Sequence, residues 1–141
     1  MASKAVTLMS SATYSATVAA TGGSAVSGMD YYRSGSFVSV ITGEVGAGSF
    51  TLDCTIQAYI GDNWTDVARF AQQTGDSVRV LWGVGRDINA SNTIEEAQST
   101  GAMTVSTKRS GPWGTQLRAY YVIAVTGVYS FTWYVKGVVV S

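Results

Sequence analysis

The sequence predicts an all-β chain: a single antiparallel β-sandwich, jelly-roll-like, with an extended N-terminal arm. Three observations carry that expectation. Gly, Ser, Thr, Val and aromatic residues dominate the 141-residue chain, with sixteen glycines against one proline, a mixture that favours strands joined by tight turns. Several runs alternate side-chain character with a period of two, the period of a strand with one buried face. Glycine-containing polar breaks separate those runs at short intervals. The hydrophobic content of 46% is enough for one domain to bury a core.

In chain order, residues 1–28 are rich in Ala, Ser, Thr and Gly and read as an arm or as short edge strands. Lys4 to Leu8 and Tyr14 to Val18 are the strand candidates there, and "TGGSAVSG" is a flexible end. The sandwich domain is expected over residues 29–141. Its first clear strand, "GSFVSVIT", sets Phe37, Ser39 and Ile41 against Val38 and Val40, and a glycine-rich turn follows. The next places Phe50, Leu52, Cys54, Ile56 and Ala58 on one face and Thr51, Asp53, Thr55, Gln57 and Tyr59 on the other. "SVRVLWGVG" opposes Val78, Val80 and Trp82 to Arg79 and Leu81.

Between Arg86 and Gly101 the period is lost, and Asn92 or Thr93 followed by Glu95 and Glu96 leaves a short helical turn and a plain loop equally open. "AMTVSTKR" alternates again, and Ser110 to Gly114 is a turn. The last two runs are the longest. Leu117, Ala119, Tyr121, Ile123 and Val125 share one face, as do Tyr129, Phe131, Trp133, Val135, Gly137 and Val139. Joined by Thr126-Gly127-Val128, they read as a β-hairpin whose final strand sits inside a sheet or against a neighbouring subunit.

Composition narrows the chemistry. Nine basic residues balance nine acidic ones, so phosphate backbones and anionic lipid find no electrostatic attraction, and neither nucleic acid nor membrane is an expected partner. No run of about 18 apolar residues is present to span a bilayer. Histidine is absent, which removes the usual general base and the commonest metal ligand. Cys54, the single cysteine, allows no internal disulfide and reads as a small buried hydrophobe. No Ser-x-x-Lys motif links the serines to Lys4, Lys108 or Lys136.

Two acidic groupings remain. Asp62, Asn63 and Asp66 could contribute to a calcium loop, but Gly-Asp-Asn is turn chemistry and the spacing of a calcium-binding loop is missing. Asp87 with Glu95 and Glu96 could suggest a carboxylate pair, yet adjacent residues in a polar loop point apart into water. The expectation is a chain that is not an enzyme, with no catalytic, metal or cofactor-binding residue. The aromatic residues fill a core and a subunit interface. Tyr31, Tyr32, Trp82 and Trp113 are the candidate interface aromatics, with Tyr31, Tyr32 and Trp113 expected to be exposed beside turn residues.

Thr51 to Gln57, Asn63 to Asp66, Phe70, Leu117 to Tyr121 and Ser130 to Trp133 together resemble a strand-and-turn pattern of small proteins from tailed bacteriophages. The likeness runs from about Ser34 to Ser141, interrupted by an extra piece around Arg86 to Trp113; residues 1–28 lie outside it. It implies a capsid decoration (head-stabilising) protein, bound to the major capsid protein on the virion surface as a homotrimer and made in the host cytoplasm. It carries over no catalytic residues. The arm is then expected to grip capsid subunits and to be removable, through residue 22, without loss of the fold. A carbohydrate-binding or host-attachment module of a tail or fibre, stacking sugars on Tyr31, Tyr32 or Trp113, is the alternative.

Overall fold

A computed structural model describes residues 2–85 and 113–141, with the backbone of Thr93–Ile94 and Thr107–Lys108. Two sheets pack face to face. The first, four-stranded, is ordered β1 (Ser3–Tyr14), β11 (Tyr129–Val140), β4 (Ser34–Gly46) and β7 (Ser77–Gly85). The second runs β2 (Val18–Gly22), β10 (Gln116–Thr126), β5 (Ser49–Ile60), β6 (Asn63–Arg69), β9 (Thr107–Lys108) and β8 (Thr93–Ile94). A further short strand, β3 (Val26–Ser27), also pairs with β10. Leaving aside the two-residue strands, the pairs are nested: β1 with β11, β2 with β10, β4 with β7, β5 with β6, all antiparallel. A long hairpin rolled into two layers has this order, and it is the jelly roll expected from the sequence.

The alternation of β5 is realised in full. Phe50, Leu52, Cys54, Ile56 and Ala58 are all buried between the sheets. At its end Gly61 and Asp62 take positive φ, 56° and 64°, the geometry of a two-residue hairpin turn with both central residues left-handed. Asn63 Nδ2 donates to the Gly61 carbonyl at 3.0 Å and fixes the corner. Glycine and aspartate adopt this backbone at little cost, which is why the chain reverses here.

Two expectations are corrected. β10 and β11 are consecutive but do not pair; they lie in different sheets. Their large inward rings meet across the core, Tyr121 and Trp133 with centroids 5.0 Å apart. Two strands that each carry a full apolar face bury more of it between layers than side by side, and Gly127, at φ 76°, supplies the arch. The final strand is nonetheless interior, between β1 and β4, as expected.

The N-terminal region is not a free arm. β1 pairs along β11 from Ser3↔Val140 to Tyr14↔Phe131, and β2 and β3 line β10. The region holds one twelve-residue strand, β1, and the shorter β2 and β3. Val6 and Leu8 are buried and carry β1 into the core, while its remaining small polar side chains suit a strand with water on one side. Register shifts between Thr7 and Met9 and between Met9 and Ala12 interrupt this edge strand, the irregularity by which natural edges resist further pairing.

The crossing from β6 to β7 is held by a buried glutamine. Gln73 pairs its backbone with Leu52, N–H to carbonyl in both directions. Its side-chain amide donates to the Ser39 carbonyl at 3.2 Å, the Ser77 carbonyl at 3.1 Å and the Ser77 hydroxyl at 3.0 Å, and its Oε1 accepts from the Ser39 hydroxyl at 2.5 Å. Trp133 Nε1 donates to that same hydroxyl at 2.8 Å. One residue, through its backbone and its side chain, therefore ties the second sheet, the crossing and the first sheet together.

At the β4–β5 end, the Tyr129 hydroxyl donates to Glu44 Oε2 at 2.5 Å. That hydrogen bond first, then desolvation and the charges of Glu44 and Asp76, push its pKa from 10.0 up to about 12. The folded chain thus keeps a proton that the unfolded chain loses. The stabilisation is whole below pH 10.0 and is lost as pH rises toward about 12. In an ultraviolet tyrosinate titration, Glu44→Ala should return one late transition to the ordinary range; an unchanged titration would refute the contact.

Candidate interaction surface

The two outer faces of the sandwich differ in character. On the second sheet, Gln57 Nε2 donates to Asp66 Oδ1 at 2.9 Å and Arg118 Nε donates to Gln57 Oε1 at 2.8 Å. The Arg118 guanidinium lies 4.2 Å from the centroid of the Trp64 ring, and Tyr59 packs on Trp64 at 5.2 Å. Desolvation lowers the Arg118 pKa, opposed by Tyr120. Trp64 stands opposite Tyr59 on the outward face. Farther along, Arg69 pairs with Asp53 at 3.1 Å, and Gln72 donates to the same carboxylate. This face spends its polar groups on one another.

The outer face of the four-stranded sheet is apolar where β7, β4 and the end of β11 lie side by side. Alternation turns Phe37, Ser39 and Ile41 inward, which leaves Val38 and Val40 facing out with Val78 and Val80 opposite them on β7. Val138 of β11 joins them through its pairing with Ser36. Val78 is 56% exposed, Trp82 55% and Val138 48%. A hollow of about 500 Å³ opens between Trp82 and Val138, walled by Trp82 and Val80, Ser36 and Val38, and Lys136 and Val138. The small Ser36 side chain, between larger neighbours, leaves the space.

The four candidate aromatics do not converge. Trp82 borders the hollow, and Tyr31, 80% exposed, sits in the 3-10 turn Met29–Tyr31. That turn leads into Arg33, whose N–H donates to the Val140 carbonyl at the same end of the sheet. Tyr32 is partly buried against the core. Trp113 corrects the expectation of exposure, being only 4% exposed. Its Nε1 donates to the carbonyls of Met29 at 3.0 Å and Tyr32 at 2.9 Å while the ring meets Phe37 edge-on at 6.2 Å. An indole that satisfies two carbonyls and covers a core phenylalanine is a plug.

The valines beside Trp82 were missed as site residues, although a strand apolar on both faces was their signal. Of the acidic groupings, Asp66 is buried on Gln57 while Asp62 is exposed in its turn, so they do not converge. Asp87, Glu95 and Glu96 lie outside the described residues, as does the helical turn or loop of 86–101 apart from the strand backbone at Thr93–Ile94. The alternation and turn over 102–112 also lie outside, apart from the strand backbone at Thr107–Lys108. Cys54 is 1% exposed, and desolvation raises its thiol pKa, which keeps it protonated.

No protein-family model, curated protein or solved structure matches the chain.

Proposed function

We propose that the chain is a virion structural protein of a tailed bacteriophage, one that binds the outside of the capsid as a homotrimer and stabilises the shell. The observation that carries this reading is the outer face of the four-stranded sheet, where valines and a tryptophan surround a hollow. A contiguous apolar patch of that kind marks a surface that another protein covers. Rigid sandwiches that meet one another through such a face add buried area wherever their assembly bridges capsid subunits, and symmetry multiplies each modest contact into a large gain for the shell. The resemblance noted in the sequence gives the partner as the major capsid protein. Of the three platforms of the sugar-stacking alternative, Trp113 is buried and Tyr32 packs on the core, while Tyr31 is exposed.

The test is cosedimentation of the purified protein with capsids of the encoding virus assembled without it. Saturable binding at a fixed ratio to the capsid subunit, with a raised temperature of shell disruption, is the expected result. No binding at micromolar concentration, with the protein folded, would remove the proposal.

A further inference from the structure

The hollow on the four-stranded sheet and the tryptophan at its rim form a hole and a knob on one surface. We infer that a second copy of this chain covers this face, with Trp82 of one copy entering the hollow of the next. The inference rests on the assembly reading above and names the surface through which copies meet.

Three features favour the chain's own copy as occupant. Along residues 36–42 of β4, 78–82 of β7 and 132–140 of β11, Lys136 is the one charge at an outward position, paired opposite Val38. Such a face steers no partner of opposite sign and meets itself without like-charge opposition. The cation's place is also apt. Lys136 Nζ lies 4.9 Å from the Tyr134 ring and lines the hollow, so an entering indole would meet an ammonium group, a favourable cation–π arrangement.

Area points the same way. Val78, Val80, Trp82 and Val138 present on the order of 300 Å² of apolar surface, a fit centre for an interface that takes roughly 800 Å² from each partner. Trp82 stands on the edge strand β7 at one side of the hollow, which reaches across β4 to β11.

Sedimentation of the full chain and three variants from about 1 to 100 µM tests this. The wild type should self-associate. Trp82→Ala and Val138→Lys should each weaken association by about thirtyfold or more, the loss expected at the centre of an interface. Val45→Lys, an equally bold change at the opposite end of β4 where Val45 is 68% exposed, should leave association unchanged. Near-ultraviolet circular dichroism checks each fold, and Val138→Lys carries the test if Trp82→Ala does not fold. A wild type that stays monomeric to about 100 µM would overturn the inference, as would variants at the face that associate like the wild type. Capsid cosedimentation of the same wild-type preparation judges the assembly reading separately.

Discussion

Replacing Gln73 with alanine is expected to lower stability by about 3–5 kcal/mol, because several buried polar groups lose a partner worth about 1–3 kcal/mol each. The carbonyls of Ser39 and Ser77 would lose their amide donor and the Ser39 hydroxyl its acceptor. The Ser39 groups cannot turn to bulk water without opening the sandwich, since Ser39 and Gln73 are both fully buried, whereas the Ser77 carbonyl is half-buried. A small domain holds only about 5–15 kcal/mol in total, so the change takes a large share of it. Urea unfolding should show a lower midpoint with an unchanged slope. A loss under about 1 kcal/mol would mean that the clasp is satisfied in some other way. Ser39→Ala is the milder companion, leaving the Trp133 indole N–H without its acceptor.

Deleting residues 2–14 is expected to abolish the folded state, in contrast to the removable arm that the sequence suggested. The deletion takes Val6 and Leu8 out of the core, at about 1.5–3 kcal/mol each in burial alone. It also strips Tyr14, which stacks on Phe131 at 5.9 Å and meets Trp133 edge-on at 5.7 Å. β11 then becomes a bare edge carrying Phe131, Trp133, Val135 and Val139, the kind of strand that recruits other chains. The truncated protein should sediment as aggregate and show no cooperative thermal transition. A soluble truncated protein with native near-ultraviolet dichroism would show that β1 is dispensable after all.

The sequence made β5 legible because one face is uniformly apolar and the other polar, so period and burial give the same answer. The Gly61–Asp62 corner was legible for a local reason, since glycine and aspartate tolerate the backbone the turn demands. The partner of each strand was not legible. β10 and β11 have inward faces equally suited to adjacency in one sheet or opposition across two, and alternation says nothing about which. β1 was obscured because its two fully inward residues, Val6 and Leu8, stand among many small ones, and its ladder partner is more than a hundred residues away. The apolar outer face hid in plain view: Val38 and Val40 fit a strand buried on both sides, and only the layer count shows that one side is open. Trp113 was misplaced because turn neighbours suggest exposure, whereas two carbonyls from the Met29 turn hold it inside.

The concentric pairing of strands has a consequence for the order in which the molecule assembles. Bringing two segments together costs more entropy the longer the free chain between them, and closing an inner pair shortens the path for the next one out. The Gly61–Asp62 reversal joins the innermost pair, which makes it the cheapest place to begin. β4 and β7 can then close over it, β2 and β10 after them, and the β1–β11 seam last. Contacts between segments so far apart predict slow, late completion compared with a helical protein of equal length. A nascent polypeptide emerging from a ribosome would hold its earliest strand unsatisfied until the final one is free to receive it.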